Sequence, residues 1–144
     1  MNNNDDIWVL GHKITPIKIS GNYDMVIGET PANVPGPPPH KHKGYNELFL
    51  VIEGEMEFLV NGNPRTVRQG ESVDLPVGAL HTFSNNSSLP CKWVNIHSPK
   101  GFLSFFEEMG IRADKEEAMK KSVDKSIIKK VIARAADYDM HISM

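Results

Sequence analysis

The chain has 144 residues, of which 40% are hydrophobic and 24% are charged, and its formal net charge at pH 7 is −2. This length suits one domain with a proper core, and so small a net charge gives no sign of a nucleic-acid partner or an anionic membrane. The one cysteine, Cys91, cannot form a disulfide within the chain, and neither a secretory signal nor an apolar run near the ~20 residues of a membrane helix is evident, so we expect a soluble cytoplasmic protein.

Up to residue 98 the sequence predicts β-structure. Short runs rich in Val, Ile, Leu and Phe are separated by glycine, proline and asparagine, the residues that mark turns between strands. Clean alternation puts Met56, Phe58 and Val60 on one face of a strand. Eight short strands with tight turns indicate a sandwich, jelly roll or barrel. The predicted strand segments are IWVLGHKITPIKI, YDMVIGET, NELFLVIEG, EMEFLVNG, RTVRQG, ESVDLPV, LHTFSN and CKWVNIHS.

From residue 99 on, the composition changes to one rich in Lys, Glu and Ala, which predicts helices. We therefore divide the chain into a β-barrel domain, residues 1–98, and a helical extension, residues 99–144, that packs on the barrel or on a partner subunit. Gly110 is the expected end of the first helix, and Asp114 with Glu117 resembles a capping box at the start of a second. Apolar residues recur at helical spacing at Phe102, Phe105, Phe106 and Met109, and again at Val123, Ile127, Ile128, Val131, Ile132 and Ala135.

Four side chains make a candidate metal site. His40 and His42 are two residues apart, so in a strand both imidazoles point to the same face. The odd step from His42 to Glu47 would send Glu47 to the opposite face, but Gly44 lets the chain turn and resets the alternation. His81 opens a later strand that a barrel can bring alongside.

Three imidazoles and one carboxylate suit a divalent transition metal, and Fe, Mn, Ni, Cu and Zn all remain open. Four protein ligands would leave positions on an octahedral metal for water, substrate or oxygen, as a catalytic site requires. An isolated H-x-H pair is common by chance on a protein surface. Whether these residues form a metal site therefore has to be judged from the spacing of the whole set.

That spacing resembles the two motifs of the cupin superfamily. In the first motif, H-x-H is followed by four residues, a glutamate, six residues and a glycine, which here are His40, His42, Glu47 and Gly54. The second motif is matched at every position by Gly70, Pro76, Gly78, His81 and Asn85. One departure stands at the start of the first motif, where the family's glycine falls on Val34 and the nearest glycine is Gly36.

The resemblance implies a mainly β fold, a double-stranded β-helix of the jelly-roll type followed by the C-terminal helical tail. It also implies that His40, His42, Glu47 and His81 are the metal ligands. The aromatic start of the tail is similar to that of small bacterial quercetin-dioxygenase-like cupins. Many cupins dimerise through their N-terminal strands, so the resemblance further implies a homodimer in which the segment IWVLGHKITPIKI takes part.

The remaining polar candidates have weaker claims. His97 ends the last predicted strand, and we favour a structural role for it over one in the pocket. Tyr45 is expected to face solvent rather than the pocket, and His12 and His141 are expected to be structural or exposed. Asn85 is expected to pin a turn.

Two classes of function follow. The first is a metal-dependent enzyme, a dioxygenase acting on a small enolic or aromatic substrate, with Glu47 doubling as the catalytic base. Isomerase and decarboxylase variants would use the same ligands and remain open. The second is a non-catalytic cupin that senses or stores a small molecule. No helix-turn-helix pattern is evident, so we expect no nucleic-acid partner. The small net charge likewise gives no reason to expect a membrane partner.

Overall fold

Residues 5–143 are described by a computed structural model, and within them the chain forms two antiparallel sheets packed face to face. The strands in this part of the chain are β1 (Ile7–Val9), β2 (His12–Ile17), β3 (Asp24–Thr30), β4 (His40–Lys41), β5 (Asn46–Glu53), β6 (Glu55–Val60), β7 (Asn63–Arg68), β8 (Ser72–Leu75), β9 (His81–Ser84), β10 (Cys91–Ser98), β11 (Ile111–Arg112) and β12 (His141–Ile142). The larger sheet has the order β11-β1-β2-β3-β10-β5-β8, and the smaller has the order β12-β4-β9-β6-β7. This is the jelly-roll architecture that the sequence predicts.

The predicted strand segments are confirmed, with one difference at the start of the chain. The segment IWVLGHKITPIKI forms a hairpin, β1 and β2, because Leu10 and Gly11 both take positive φ, 49° and 87°, and reverse the chain. Three strands were not predicted, namely β4, β11 and β12. Each has two residues, too few for an alternating pattern to show in the sequence.

The C-terminal segment contains helices α1 (Leu103–Met109), α2 (Ala118–Ser122) and α3 (Lys125–Arg134) and a short 3₁₀ helix (Ala135–Tyr138). It also adds a strand to each sheet, because β11 pairs with β1 and β12 pairs with β4. None of the helices in the described part of the chain is long and apolar enough to cross a membrane.

The predicted capping box at Asp114 is wrong. Helix α2 begins at Ala118, with Glu117 before it in the left-handed region at φ 53° and no side chain capping it. Asp114 instead pairs with Arg112 at 2.8 Å. The residues after β11 instead form a turn, closed by the hydrogen bond from the Lys115 N–H group to the Arg112 backbone oxygen at 3.0 Å, and the helix begins only at Ala118.

The core lies between the two sheets and is strongly aromatic. Phe49 lies within 5.2 Å, centroid to centroid, of Phe58, Phe83 and Trp93. The Trp93 ring lies over Gly28, where an added Cβ would come within 2.2 Å of it. The apolar stripe of α3 is only partly used, with Val131 buried and Val123, Ile128 and Ile132 about 40% exposed.

Candidate metal centre

The four predicted ligands come from both sheets and meet between them. His40 in β4 pairs directly with His81 in β9, and their rings are 4.4 Å apart. His42 follows β4 immediately. Glu47 stands near the start of β5 in the other sheet, and its side chain is inward, as the alternation of the strand requires. All four side chains are buried.

A fifth residue joins them, and together they form what we call the His/Glu cluster: His40, His42, Glu47, His81 and His97. His97 pairs with Glu47 across β10 and β5. One Glu47 oxygen, Oε1, lies 3.3 Å from His42 Nε2 and 3.1 Å from His81 Nε2. The other, Oε2, lies 3.4 Å from His97 Nε2. The role favoured for His97 on sequence grounds was structural, but it lines the cavity.

Two overlapping sets within the cluster have metal-binding geometry. One ligand atom each from His40, His42 and His81 lie within 4.8 Å of one another, as do those of His42, Glu47 and His97. The structure therefore brings the four predicted ligands together and adds a fifth candidate to them.

The ring tautomers leave lone pairs aimed at the centre of the cluster. The Nδ1 atoms of His40, His42 and His81 lie 2.8–3.0 Å from the backbone oxygens of Pro38, Asp139 and Ala79. A carbonyl oxygen only accepts, so each Nδ1 carries a proton, and in the neutral ring Nε2 then keeps its lone pair.

Several of these inward atoms are buried and have no hydrogen-bond partner within residues 5–143: Glu47 Oε1 and the Nε2 atoms of His42, His81 and His97. Their short mutual distances are not hydrogen bonds of acceptable geometry. Lone pairs this close repel each other unless a proton or a metal cation lies among them. Imidazole nitrogens and a carboxylate oxygen are the donor types that bind divalent transition metals, so the cluster fits such an ion.

The electrostatics keep Glu47 ionised. Burial alone would raise its pKa, but the electrostatic influence of His97 and hydrogen bonding from the His42, His81 and His97 rings, where these present an N–H group to the carboxylate, outweigh burial and hold the Glu47 pKa well below its usual range. Burial lowers the pKa of His40 to about 3, which favours the neutral imidazole that a metal requires. Burial also acts to lower the pKa of His81, but Glu47 reverses this and raises it.

The cluster opens into a small apolar cavity of about 60 Å³. Helix α1 and the residue before it cover one side with aromatic rings. No lysine or arginine of residues 5–143 lines this cavity. Its lining consists of Val9, Leu10, His12, Ile14, Pro37, His40, His42, Glu47, Phe49, Phe83, Trp93, Asn95, His97, Phe102, Phe105, Phe106 and Met140.

The structure also places the remaining polar residues that the sequence singled out. His12 is buried and lines the cavity, so it is not exposed. Tyr45 is half-buried and packs against the rings of His42 and His97 at 5.8 Å, outside the cavity lining. His141 pairs with Asp139 at 2.9 Å.

Asn85 pins a turn, as predicted. Its amide nitrogen contacts the backbone oxygens of Thr30, Pro31 and Leu89 at 2.8–3.2 Å, and its oxygen accepts from Ser87. These hydrogen bonds join the end of β3 to the loop before β10.

Two residues of the site were not found from the sequence. Asn95 donates from Nδ2 to Glu47 Oε2 at 2.8 Å. Alternation in β10 puts Asn95 on the same face as His97, which was an available signal. Asp139 holds the His42 ring through its backbone oxygen, and nothing in the sequence links two residues so far apart.

Comparison with known proteins gives a consistent family assignment. Residues 27–97 match the family model described as "Cupin domain". The HTH-type transcriptional regulator PuuR of Escherichia coli is 36% identical over 62 residues, which cover 43% of this chain and 33% of the regulator. An uncharacterized protein of Aquifex aeolicus is 31% identical over 51 residues, 35% of this chain and 42% of that protein. The matches thus span less than half the length of these curated relatives.

Solved structures share the fold at low identity. KdgF from Halomonas superposes with a TM-score of 0.62 and 18% identity, over 69% of this chain and 91% of that one. A sugar phosphate isomerase of the cupin superfamily from Silicibacter pomeroyi gives 0.58 and 15%, over 63% and 61%. The cupin domain of an XRE family transcriptional regulator from Enterobacter cloacae gives 0.55 and 21%, over 62% and 98%.

Proposed function

The chain contains a domain of the cupin superfamily, and from that premise we propose that it is a metal-dependent enzyme of the dioxygenase type, acting on a small, uncharged aromatic or enolic substrate. The main support is the set of buried Nε2 and Oε1 atoms that face each other without hydrogen-bond partners. A fold gains nothing from burying such a set, because each unpaired polar atom costs about 1–3 kcal/mol. A bound cation would remove that cost.

In this proposal His40, His42, Glu47 and His81 hold the metal, with His97 beside Glu47. A divalent ion such as Fe, Mn, Ni, Cu or Zn would, when bound, make a substrate hydroxyl more acidic and supply a site for oxygen.

A residue of the chain itself would accept the proton of the substrate hydroxyl. Glu47 is the proposed base, because its Oε1 has no hydrogen-bond partner among residues 5–143 and a carboxylate ligand that loosens from a metal can accept a proton. Its other oxygen is held by the amide of Asn95 at 2.8 Å, which fixes the direction in which Oε1 points. A substrate hydroxyl near the cluster can therefore deliver its proton to Glu47 Oε1.

The lining of the cavity supports the substrate class. Its aromatic and aliphatic side chains exclude water and favour an apolar body, and no cation among residues 5–143 is placed to bind a phosphate or carboxylate there. This argues against a sugar phosphate, the substrate type named for one structural neighbour. A volume of about 60 Å³ has room for only a few water-sized groups, so the entry of any aromatic substrate requires α1 and its aromatic rings to move.

A second candidate is a non-catalytic cupin that binds a small molecule. Its support is the likeness to cupin-containing transcriptional regulators, one of them 36% identical over 62 residues. Isomerase or decarboxylase chemistry on the same ligands is a third, related alternative, supported by the fold shared with a sugar phosphate isomerase.

The decisive experiment combines metal content with oxygen consumption. Purified protein is reconstituted anaerobically with Fe(II) or Mn(II), its metal is measured by elemental mass spectrometry, and oxygen uptake is followed with flavonols and smaller enolic or phenolic compounds. We expect about one metal per chain, lost in His42→Ala, and oxygen uptake that Glu47→Gln abolishes.

The outcomes separate the candidates. Metal binding with substrate binding but no turnover would favour the non-catalytic cupin, and conversion without oxygen uptake would favour an isomerase or decarboxylase. Absence of metal under every condition would refute the dioxygenase proposal.

We also propose that the chain forms a homodimer through the outer face of the larger sheet. The N-terminal strands β1 and β2 pair with β11 and β3 of the same chain, whereas outward residues of β5 remain uncovered, with Leu50 37% and Ile52 43% exposed. Val94 adjoins Leu50 on this face, and Lys92 with Glu53 gives its rim both signs of charge, so a second copy is complementary to it. Light scattering should show a dimer that Leu50→Glu dissociates and that Leu59→Glu, on the other sheet, leaves intact.

A further inference from the structure

We propose that His12 binds the substrate, donating a hydrogen bond from Nε2 to an uncharged oxygen at a second polar point of the cavity, apart from the His/Glu cluster. This rests on the proposed function in naming the bound molecule a substrate and in giving it a hydroxyl or enol group for the His/Glu cluster. His12 is the first residue of β2, its side chain is 4% exposed, and it lines the same cavity as the cluster. Its nearest aromatic neighbour is Phe83, at 5.2 Å between ring centroids.

A chain of hydrogen bonds fixes which ring nitrogen of His12 carries the proton. Trp93 Nε1 donates to Thr30 Oγ1 at 2.9 Å, since an indole N–H can only donate. His12 Nδ1 lies 2.9 Å from the same oxygen. Thr30 is fully buried, and within residues 5–143 its hydroxyl proton has no other acceptor than His12 Nδ1. Thr30 therefore donates to Nδ1, and the proton of the neutral ring is on Nε2.

The Nε2–H group of His12 is a hydrogen-bond donor that a ligand in the cavity could satisfy. It is buried and has no partner among the described residues that meets hydrogen-bond geometry, although the backbone oxygen of Pro35 lies near the ring. Buried donors in folded proteins are nearly always paired, so an unpaired one in a cavity wall points to a ligand. Burial lowers the pKa of His12 to about 4, with the Pro35 backbone acting in the opposite direction, so the ring stays neutral at physiological pH.

The local structure holds this donor rigidly. Gly28 stands opposite Trp93 in the β3–β10 pair, and only a residue without a Cβ leaves room for the indole there. The indole is thereby placed to reach Thr30, and Thr30 to reach His12. The orientation of the His12 ring thus follows from packing in the sheet and does not depend on a ligand.

These features define the substrate more narrowly. It carries a hydroxyl or enol group for the cluster and, across an apolar body, a carbonyl, ether or hydroxyl oxygen for His12. A neutral donor in an apolar wall does not favour a carboxylate, because a buried charge requires a charged partner. The expected class is a small hydroxy-carbonyl compound, aromatic or enolic.

The test uses pairs of phenols that differ in one oxygen. Binding of 3- and 4-hydroxyacetophenone is compared with that of 3- and 4-ethylphenol by calorimetry, on metal-loaded protein. We expect at least one ketone to bind about tenfold tighter than its ethyl analogue. His12→Phe, which keeps a ring but removes the donor, should abolish that difference and leave the ethylphenol Kd nearly unchanged.

A second measurement needs no variant. Nitrogen-15 NMR of the wild-type protein should show His12 as the Nε2–H tautomer, with a shift of that resonance when the ketone binds. The Nδ1–H tautomer, failure of every ketone to bind, or a ketone preference that survives in His12→Phe would each overturn the proposal. Neither readout requires turnover, so a protein that binds ketones through His12 but consumes no oxygen would refute the dioxygenase function alone.

Discussion

His42 Nδ1 lies 2.8 Å from the backbone oxygen of Asp139, a residue 97 positions later in the chain. The Asp139 carboxylate also accepts from the backbone N–H groups of Lys43 and Gly44, at 2.9 and 2.7 Å. One residue of the C-terminal segment thus fixes both the ring of a candidate metal ligand and the loop that follows it. Groups that orient a ligand in this way typically contribute strongly to metal affinity.

We therefore predict that Asp139→Gly weakens metal binding by up to about tenfold, because the loop after His42 loses its two carboxylate contacts while the backbone oxygen beside the His42 ring remains. Glycine is the informative replacement because Asp139 has φ 60°, a conformation that glycine adopts freely, so the backbone can stay in place while the carboxylate is lost. Competition with a chromogenic chelator measures the affinity. Asp137→Gly, two residues earlier and without contact to the loop, is the control, and equal affinities of the two variants would contradict the prediction.

The aromatic cover of the cavity should limit substrate size. Phe106 lines the cavity but is only half-buried, so it lies at the boundary between the cavity and solvent. Phe106→Ala should admit larger ligands, and we expect quercetin to bind at least several-fold tighter to this variant than to the wild type. Fluorescence titration measures it, with Glu107→Ala on the exposed side of α1 as the control. Unchanged quercetin affinity would mean that Phe106 does not restrict entry.

Asp24 should make the stability of the fold depend on pH through its hydrogen bonds to the start of α1. It accepts from the backbone N–H groups of Gly101 and Leu103 and pairs with Lys100 at 3.2 Å. Burial acts to raise its pKa, but these donors outweigh burial and lower it. A pKa that is lower in the folded than in the unfolded state stabilises the fold at neutral pH, and this stabilisation is lost as the pH falls through the folded value.

Accordingly, Asp24→Asn should lower the free energy of unfolding by about 1–3 kcal/mol at pH 7. The difference from the wild type should shrink as the pH falls below 4, because the wild-type carboxyl is then protonated too. Urea denaturation across this pH range measures it. Asp74→Asn, an exposed position on β8, should show no such trend, and a constant difference for Asp24→Asn at all pH values would disprove the coupling.

Asn85 should contribute to stability without affecting the metal. It is fully buried and connects three backbone carbonyls to the turn at Ser87. Asn85→Ala leaves these groups unpaired and should cost about 2–4 kcal/mol in unfolding free energy. Metal stoichiometry should remain near that of the wild type at low temperature. Asn86→Ala, next to it and exposed, provides the comparison, and similar stabilities of the two variants would count against this role.

Much of the architecture and the set of candidate ligands could be predicted from local patterns. Alternation predicts the long strands because every second residue of a strand faces the core, and the same rule puts His40 and His42 on one face. The fixed spacing of Glu47 and His81 relative to turn-forming glycines reflects short-range backbone geometry, which sequence records directly. The turn at Asn85 belongs to the same category.

What only the tertiary structure decided depends on contacts between distant parts of the chain. His97 joins the cluster because β10 pairs with β5 in one particular register, and Asp139 reaches His42 because β12 pairs with β4. The predicted cap at Asp114 was wrong because the chain forms a turn directly after β11 and the helix begins later, at Ala118. His12 becomes a ligand-facing donor only through Thr30 and Trp93. Such registers are set by the burial of whole faces and not by any one segment. The sequence thus predicted the candidate ligands, while the packing of the sheets determined their surroundings.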